Sequence, residues 1–160
     1  MAQDIALTVN GGRVSVAAEA ATPLLDVLRN RLDLKGARYG CGLEQCGSCT
    51  VLLDGEPIYA CSREIGTVAG RSVTTIEGLG TAAQPHPLQQ AFVDEQAGQC
   101  GYCLSGILMS AKALLDRNPS PTRADIVAAL DKHLCRCGAH PRILRAVERA
   151  AAVLREGKGA

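Results

Sequence analysis

The residues of this sequence most able to do chemistry are its eight cysteines. They fall into two sets of four, one in each half of the chain: Cys41, Cys46, Cys49 and Cys61, then Cys100, Cys103, Cys135 and Cys137. The amino terminus shows no leader pattern and no apolar run reaches the length of a membrane span, so we expect a cytoplasmic protein. Disulfides are disfavoured in that reducing compartment, and the thiols are therefore predicted to be metal ligands.

The first set has the spacing C-x4-C-x2-C followed by a distant fourth cysteine, which is typical of a plant-type [2Fe-2S] cluster. A β-hairpin with a three-residue loop, Asp54-Gly55-Glu56, would bring Cys61 directly opposite Cys49. Such a cluster is an anion, and burying it requires hydrogen-bond donors or positive charge nearby. Arg38 could supply charge. Four glycines could adopt positive φ and expose N–H groups to sulfur: Gly36, Gly40, Gly42 and Gly47.

The second set consists of two close pairs, each at the start of a predicted helix. Cys100 and Cys103 are three positions apart, which places both on one face of a helical turn. Cys135 and Cys137 are two positions apart, which places both on one face of an extended segment. We therefore expect each pair to chelate one iron of a second cluster. Two helix dipoles, together with Arg136, would direct positive charge at this anionic centre.

Other metal centres fit this sequence less well. Zinc sites with four cysteines usually combine compact C-x2-C pairs, and neither C-x4-C-x2-C nor the closing C-x-C is typical of them. A zinc scaffold remains the alternative metal-binding interpretation. A Rieske centre needs two histidine ligands, whereas we interpret each histidine as a surface or helix-capping residue: His86, His133 and His140. Tyr39 and Tyr102 neighbour cysteines and are expected to pack against the clusters.

The hydrophobic pattern divides the chain into a strand-rich half and a helical half. Alternation with period 2 predicts hairpins over residues 5–16 and 49–61 and a closing strand at 73–76. One helix is predicted to have Thr22 as its N-cap and Pro23 as its first helical residue. Gly, Ala, Pro and Gln dominate 78–87, where we place a linker. Beyond the linker, four helices are predicted over 87–97, 103–117, 122–132 and 141–155, followed by a frayed tail from Glu156.

Composition narrows the choice of partners and of core. Lys and Arg total 17 against 16 Asp and Glu, so a formal net charge of +1 gives no indication of a nucleic-acid partner. Aromatic residues make up 2% of the chain and Trp is absent, so the core must be aliphatic. A chain of 160 residues suits one ordinary domain or two small ones.

Three cysteine-bearing segments resemble the iron–sulfur subunit of the molybdenum hydroxylases, the family of xanthine dehydrogenase and aldehyde oxidoreductase. They are residues 40–51 (GCGLEQCGSCTV), 99–103 (QCGYC) and 134–138 (LCRCG), supported by 74–80, 86–92 and 134–140. The similarity runs from about residue 4 to residue 155. Within the family, the chain looks most like the small subunits of nicotinate dehydrogenase and isoquinoline oxidoreductase.

The resemblance implies an α+β fold in two domains. Residues 1–79 would form an N-terminal β-grasp domain like a plant-type ferredoxin, and residues 80–160 an all-helical, four-helix [2Fe-2S]-binding domain. Two [2Fe-2S] clusters are implied here, with a molybdopterin, in its cytosine dinucleotide form, in a separate large subunit. By the same resemblance, Gln99 matches a glutamine that hydrogen-bonds the pterin. Cys137 matches the cluster ligand whose sulfur approaches the pterin amino group.

The function implied by the resemblance is electron transfer. The chain would pass electrons from the molybdopterin site through both clusters to an external cytochrome, flavoprotein or quinone, with no substrate turnover of its own. The implied substrate of the complex is an N-heteroaromatic compound such as nicotinate. A complex that oxidises aldehydes or purines, and a stand-alone ferredoxin-like carrier, are the alternatives. The chain itself would not insert into a membrane, and any membrane association would come through a partner.

Two short segments depart from the family pattern. Many members read Cys-Thr-Pro-Gly where this chain has Cys103-Leu-Ser-Gly106, and Thr-Gly-Tyr where it has Gly138-Ala-His140. Both segments border the expected interface with the large subunit. We therefore expect the partner contacts there to differ from those of xanthine dehydrogenase.

Overall fold

The two halves of the chain build two separate apolar cores, as the hydrophobic pattern predicts. A computed structural model describes residues 1–157 and places the strands in the first half and the long helices in the second. Leu28 and Val51 are fully buried in the first core, and Ile107 is buried in the second. The cores meet where Leu52 of the sheet packs on Met109.

The sheet contains five strands in the order β2-β1-β5-β3-β4. β1 (Gln3–Val9) and β2 (Gly12–Ala18) form one antiparallel hairpin, and β3 (Thr50–Leu53) and β4 (Glu56–Tyr59) form the other. β5 (Ser72–Thr74) lies between them, parallel to β1 and antiparallel to β3. This central strand joins the two hairpins into the mixed sheet of a β-grasp fold.

The helix of the first domain starts differently from the prediction. α1 (Leu24–Asp26) continues into a π-helical turn (Val27–Arg31), and its apolar stripe packs on the sheet. The predicted N-cap at Thr22 is wrong, because Pro23 occupies the N-cap position without a side-chain hydrogen bond. The first helical N–H group donates instead to the Arg63 carbonyl oxygen at 2.7 Å. A main-chain partner from a distant loop therefore replaces the side-chain cap.

The β3–β4 hairpin has a two-residue loop rather than the predicted three-residue loop. Asp54 and Gly55 both have positive φ, 50° and 87°, as a type I′ turn requires, and Asp-Gly is a preferred sequence for that turn. The shorter loop places Ala60 beside Cys49, and the Ala60 N–H donates to the Cys49 carbonyl oxygen at 3.3 Å. The prediction that Cys61 lies directly opposite Cys49 is therefore wrong by one residue.

Four α-helices form the second half, as predicted: α2 (Pro87–Asp94), α3 (Leu104–Arg117), α4 (Arg123–Leu130) and α5 (His140–Gly157). α2 ends earlier than predicted because Gln96 adopts left-handed backbone, with φ of 47°. α5 continues through Glu156, where a frayed tail was expected, and residues 158–160 of that tail lie outside the described residues. Within residues 1–157, no helix is long and apolar enough to cross a membrane.

The helical half docks on the sheet through a glycine of α3. A Cβ atom on Gly106 would lie 2.0 Å from the Gly47 carbonyl oxygen, so the backbone of α3 touches the first cysteine loop. Met109, further along the same helix, is fully buried against Leu52. At the rim, Arg117 forms an ion pair with Glu56 at 2.8 Å. These contacts hold the two cysteine sets next to each other.

Candidate metal centres

The loop between α1 and β3 carries three of the first four cysteines and supplies main-chain donors to sulfur. The N–H groups of Leu43 and Gln45 donate to Cys41 Sγ at 3.3 and 3.2 Å. The N–H group of Cys41 donates to Cys46 Sγ at 3.4 Å. Sulfur in this loop therefore receives the hydrogen bonds that an anionic centre requires.

The glycines of this loop shape it but are not the donors described above. Gly42 and Gly47 have positive φ, 69° and 75°, as predicted, whereas Gly36 and Gly40 do not. A Cβ atom on Gly40 would lie 2.6 Å from Cys46 Sγ, so the missing side chain lets the backbone approach sulfur. The N–H groups that donate to cysteine sulfur in this loop belong to Cys41, Leu43 and Gln45, and donation by the glycines to a bound cluster stays a prediction.

The second cysteine set lies where two segments of the helical half meet. Cys103 occupies the N-cap position of α3, and Cys100 precedes it in a turn where the Tyr102 N–H donates to Cys100 Sγ at 3.5 Å. Cys135 and Cys137 lie between α4 and α5, in the turn that precedes the first residue of α5, His140. Cys103 therefore lies at a helix N-terminus as predicted, whereas Cys135 and Cys137 lie in the loop before α5.

The eight thiols form four pairs whose members lie close enough to shift each other's pKa: Cys41 with Cys46, Cys49 with Cys61, Cys100 with Cys137, and Cys103 with Cys135. In the second set, each pair joins one cysteine from each segment. The sequence predicts chelation by the two cysteines of one segment, whereas the neighbouring thiols here come from different segments. The spacing within a segment indicates which thiols share a face, but the nearest sulfur comes from the segment opposite.

Each set combines a thiol of low pKa with a buried thiol of high pKa. Main-chain N–H donors lower the pKa of Cys41 to about 7 and also lower the pKa of Cys100. Burial raises the pKa of Cys49 and of Cys103 to about 12. Cysteine binds metal as a thiolate. Cys41 and Cys100 therefore lose their protons more readily than Cys49 and Cys103.

A cavity of about 310 Å³ lies between the two halves of the molecule beside the second set. Its lining includes Cys100, Cys103 and Cys135, with Ser48 on the first-domain side and Arg136 at its edge. Thiols, main-chain N–H groups and a basic side chain are donors that suit an anionic iron–sulfur cluster. In the part of the chain that the structure describes, no three His, Cys, Asp or Glu side chains form a group for a single metal ion.

Gln99 and Cys137 lie side by side at the surface of the helical half. The Gln99 Nε2 atom donates to the Cys137 carbonyl oxygen at 3.3 Å, and the Gln99 side chain is exposed. Cys137 is half-buried. Both residues are therefore within reach of a partner that covers this surface.

Arg38 and two tyrosines connect the cysteine loops of the two halves. The Arg38 guanidinium lies over the Tyr102 ring, 5.2 Å from its centroid, and the Tyr102 hydroxyl donates to the Tyr39 carbonyl oxygen. Tyr39 and Tyr102 are 61% and 45% exposed and bridge the loops at the surface, and Tyr102 also lines the cavity beside the second cysteine set. A further link is the Leu134 N–H, which donates to the Cys46 carbonyl oxygen at 3.1 Å.

The three histidines have different roles. His86 caps α2 as predicted, with Nδ1 accepting a main-chain N–H at 3.1 Å, and His140 is exposed as predicted. His133 is neither a surface nor a capping residue: it is 5% exposed, with Nε2 2.7 Å from Ser110 Oγ. Its ring packs on Gly47, where a Cβ atom would lie 2.3 Å from Nδ1. Burial lowers the pKa of His133 to about 4, so the ring is neutral at pH 7.

Comparison with known proteins identifies the family. A model described as a 2Fe-2S iron-sulfur cluster binding domain matches residues 7–71, and one described as a [2Fe-2S] binding domain matches residues 75–148. A subunit of nicotinate dehydrogenase from Pseudomonas putida is 55% identical over 156 residues, which are 98% of this chain and 99% of that protein. This chain belongs to the iron–sulfur small subunits of the molybdenum hydroxylases.

Two further relatives support this membership. The alpha subunit of isoquinoline 1-oxidoreductase from Brevundimonas diminuta is 51% identical over 139 residues, covering 87% of this chain and 90% of that protein. The crystal structure of aldehyde oxidoreductase from Desulfovibrio desulfuricans ATCC 27774 superposes with a TM-score of 0.93 at 43% identity. That match covers 96% of this chain but 17% of the longer aldehyde oxidoreductase chain. The predicted α+β fold is confirmed.

As a member of this family, the protein carries two [2Fe-2S] clusters and transfers electrons within an oxidoreductase without turning over substrate itself. These properties were predicted from the sequence, but the packing that brings the two cysteine sets together was not. An isolated glycine in an apolar helical pattern often marks close packing, so Gly106 could have been recognised. Nothing in the sequence distinguishes the buried His133 from a surface histidine.

Proposed function

We propose that each set of four cysteines holds one [2Fe-2S] cluster: Cys41, Cys46, Cys49 and Cys61 in the first domain, and Cys100, Cys103, Cys135 and Cys137 in the second. Two observations carry this assignment. Main-chain N–H groups donate to the sulfur atoms of Cys41 and Cys46 in the first set, and a cavity is lined by three thiols of the second set. The thiols of each set also lie close together in pairs. Each of the two irons in a cluster would be held by one such pair. When bound, each cluster accepts and releases one electron at a time.

The domain boundary and the location belong to the same proposal. We place the boundary after residue 79, in the segment between the last short helical turn (Ile76–Gly78) and α2. All eight cysteines lie within the described residues and none forms a disulfide, which favours a reducing, cytoplasmic compartment.

The partner of the helical domain is proposed to be a large subunit that binds molybdopterin, in its cytosine dinucleotide form. Gln99 and Cys137 would face the pterin, because both lie at one point of the surface and Cys137 belongs to the second cysteine set. The Gln99 side-chain amide offers both a donor and an acceptor to polar groups of a pterin ring. This chain would thus contact the cofactor through side chains that also support its own cluster.

Electrons are proposed to enter through the helical domain and to leave from the first domain toward an external cytochrome, flavoprotein or quinone. The hydrogen bond from the Leu134 N–H to the Cys46 carbonyl oxygen supports direct transfer between the two domains. It connects the residue beside Cys135 to a cysteine of the first set, and so gives a short bonded link between the two domains.

Cysteine variants of the assembled complex test this order. We expect Cys100→Ser or Cys137→Ser to abolish substrate-driven reduction of the first-domain cluster, because electrons would have to pass the damaged site. Cys49→Ser, the matched control in the first domain, should leave reduction of the helical-domain cluster intact. Stopped-flow spectra recorded after mixing with substrate measure both reactions. Loss of helical-domain reduction in Cys49→Ser, with first-domain reduction preserved in Cys100→Ser, would reverse the proposed direction.

The substrate of the complex is proposed to be an N-heteroaromatic compound such as nicotinate. The names of the relatives at 55% and 51% identity, nicotinate dehydrogenase and isoquinoline 1-oxidoreductase, support this class. The aldehyde oxidoreductase at 43% identity keeps an aldehyde as the second candidate. Assays of the purified complex with nicotinate, isoquinoline and an aromatic aldehyde separate them, and activity on the aldehyde alone would contradict the proposal.

A further inference from the structure

Arg38 belongs to the first domain but its side chain contacts the second. It lies three residues before Cys41, and its N–H donates to the Ser48 carbonyl oxygen at 3.0 Å, which anchors its backbone to the first cysteine loop. The guanidinium extends across the domain boundary to the Tyr102 ring. A position in the first cysteine loop thus places a positive charge beside the second cysteine set.

Tyr102 connects this charge to the second set through short contacts. Its ring lies under the guanidinium, and its N–H donates to Cys100 Sγ at 3.5 Å. The Tyr102 hydroxyl donates to the Tyr39 carbonyl oxygen, which fixes the ring between the two loops. The ring therefore holds Arg38 at one place relative to Cys100.

The contacts of the Arg38 side chain lie on the side of the second cysteine set. Its guanidinium lies over the Tyr102 ring, and the main-chain N–H of that same tyrosine donates to Cys100 Sγ. In the first set, by contrast, Cys41 Sγ receives its hydrogen bonds from N–H groups of its own loop. A fixed positive charge stabilises the more negative state of a nearby centre, and for an iron–sulfur cluster that is the reduced state.

We propose that Arg38 of the ferredoxin-like domain raises the reduction potential of the cluster in the helical domain, acting across the domain boundary over the Tyr102 ring. This inference rests on the ligand assignment proposed above. Docking of the two domains then raises the reduction potential of the helical-domain cluster, the first electron acceptor. The reason is that the Arg38 guanidinium lies over the Tyr102 ring only when the two cysteine loops are in contact.

Potentiometric EPR titration of the purified complex tests the role of Arg38. Signals are first assigned with Cys49→Ser and Cys103→Ser, each of which should alter the signal of one cluster only. Arg38→Gln is then expected to shift the midpoint of the helical-domain cluster to lower potential and to move the first-domain cluster less. Arg38→Lys, which keeps the charge, should retain most of the wild-type midpoint.

Two further variants separate a local effect from a general one. Arg13→Gln removes an exposed arginine of β2 and controls for net charge, so it should leave the difference between the two midpoints unchanged. Arg38→Met keeps the aliphatic stem and replaces Arg38→Gln if that variant does not assemble. Equal shifts of both clusters, or an unmoved helical-domain cluster, would overturn the role of Arg38. Cysteine variants that fail to alter separate signals would instead overturn the ligand assignment.

Discussion

At the scale of single residues, the environment of each polar group is set mainly by main-chain donors and by burial. Cys41 receives two N–H groups and has a lowered pKa, whereas Cys49 of the same set is buried and has a raised one. His86 and His133 also have different environments: the first uses Nδ1 to cap α2, and the second is buried between the domains. Identical residue types therefore perform different tasks in one small molecule.

The cap at His86 predicts a pH-dependent stability. Burial lowers the pKa of His86 below its ordinary value of 6.5, and Nδ1 must be unprotonated to accept the N–H of Leu88. The unfolded chain therefore takes up the proton first, and this contribution to stability is complete above pH 6.5 and is lost as the pH falls through the lowered pKa. In thermal melts across that pH range, the melting temperature should fall more steeply with decreasing pH in the wild type than in His86→Asn. Asparagine caps helices without titrating, so equal slopes in the two proteins would contradict the prediction.

At the scale of elements, periodicity predicted the strands and all four helices of the second half, but not the contacts between segments. The hairpin register was missed by one residue because Asp54-Gly55 forms a two-residue turn. The pairing of Cys100 with Cys137 was missed because spacing describes one segment at a time, while the partner sulfur comes from another. The cysteine sets were recognisable from spacing and resemblance, since ligand type and order are properties of the sequence itself.

The contact between α3 and the first cysteine loop gives a prediction at this scale. Gly106→Ala would place a methyl group 2.0 Å from the Gly47 carbonyl oxygen, and two backbones would have to move apart. We expect a loss of roughly 1–3 kcal/mol in unfolding free energy, the usual cost of overpacking. Gly157→Ala is the matched control, because a Cβ atom there meets nothing within 4 Å. Denaturant titration measures both variants, and equal stability would show that the close approach is unimportant.

At the scale of the whole molecule, the two domains are docked so that their cysteine sets lie next to each other. Gly106 on Gly47, and the hydrogen bond from Leu134 to Cys46, join the loops directly. The interface also buries Met109 on Leu52. A stand-alone carrier would not require a second domain held in this way, whereas a relay from a large partner to an external acceptor does. Co-purification with a large subunit is the outcome expected for such a relay, and a carrier would elute alone.

The assignment of the eight cysteines to two [2Fe-2S] clusters underlies every electron-transfer step proposed above, and low-temperature EPR of the dithionite-reduced protein is its decisive test. Iron and acid-labile sulfide are to be quantified on the same sample. We expect two distinct S = 1/2 signals and about four irons per chain. A colourless, EPR-silent protein that contains zinc would contradict the assignment, and the cysteines would then be structural zinc ligands.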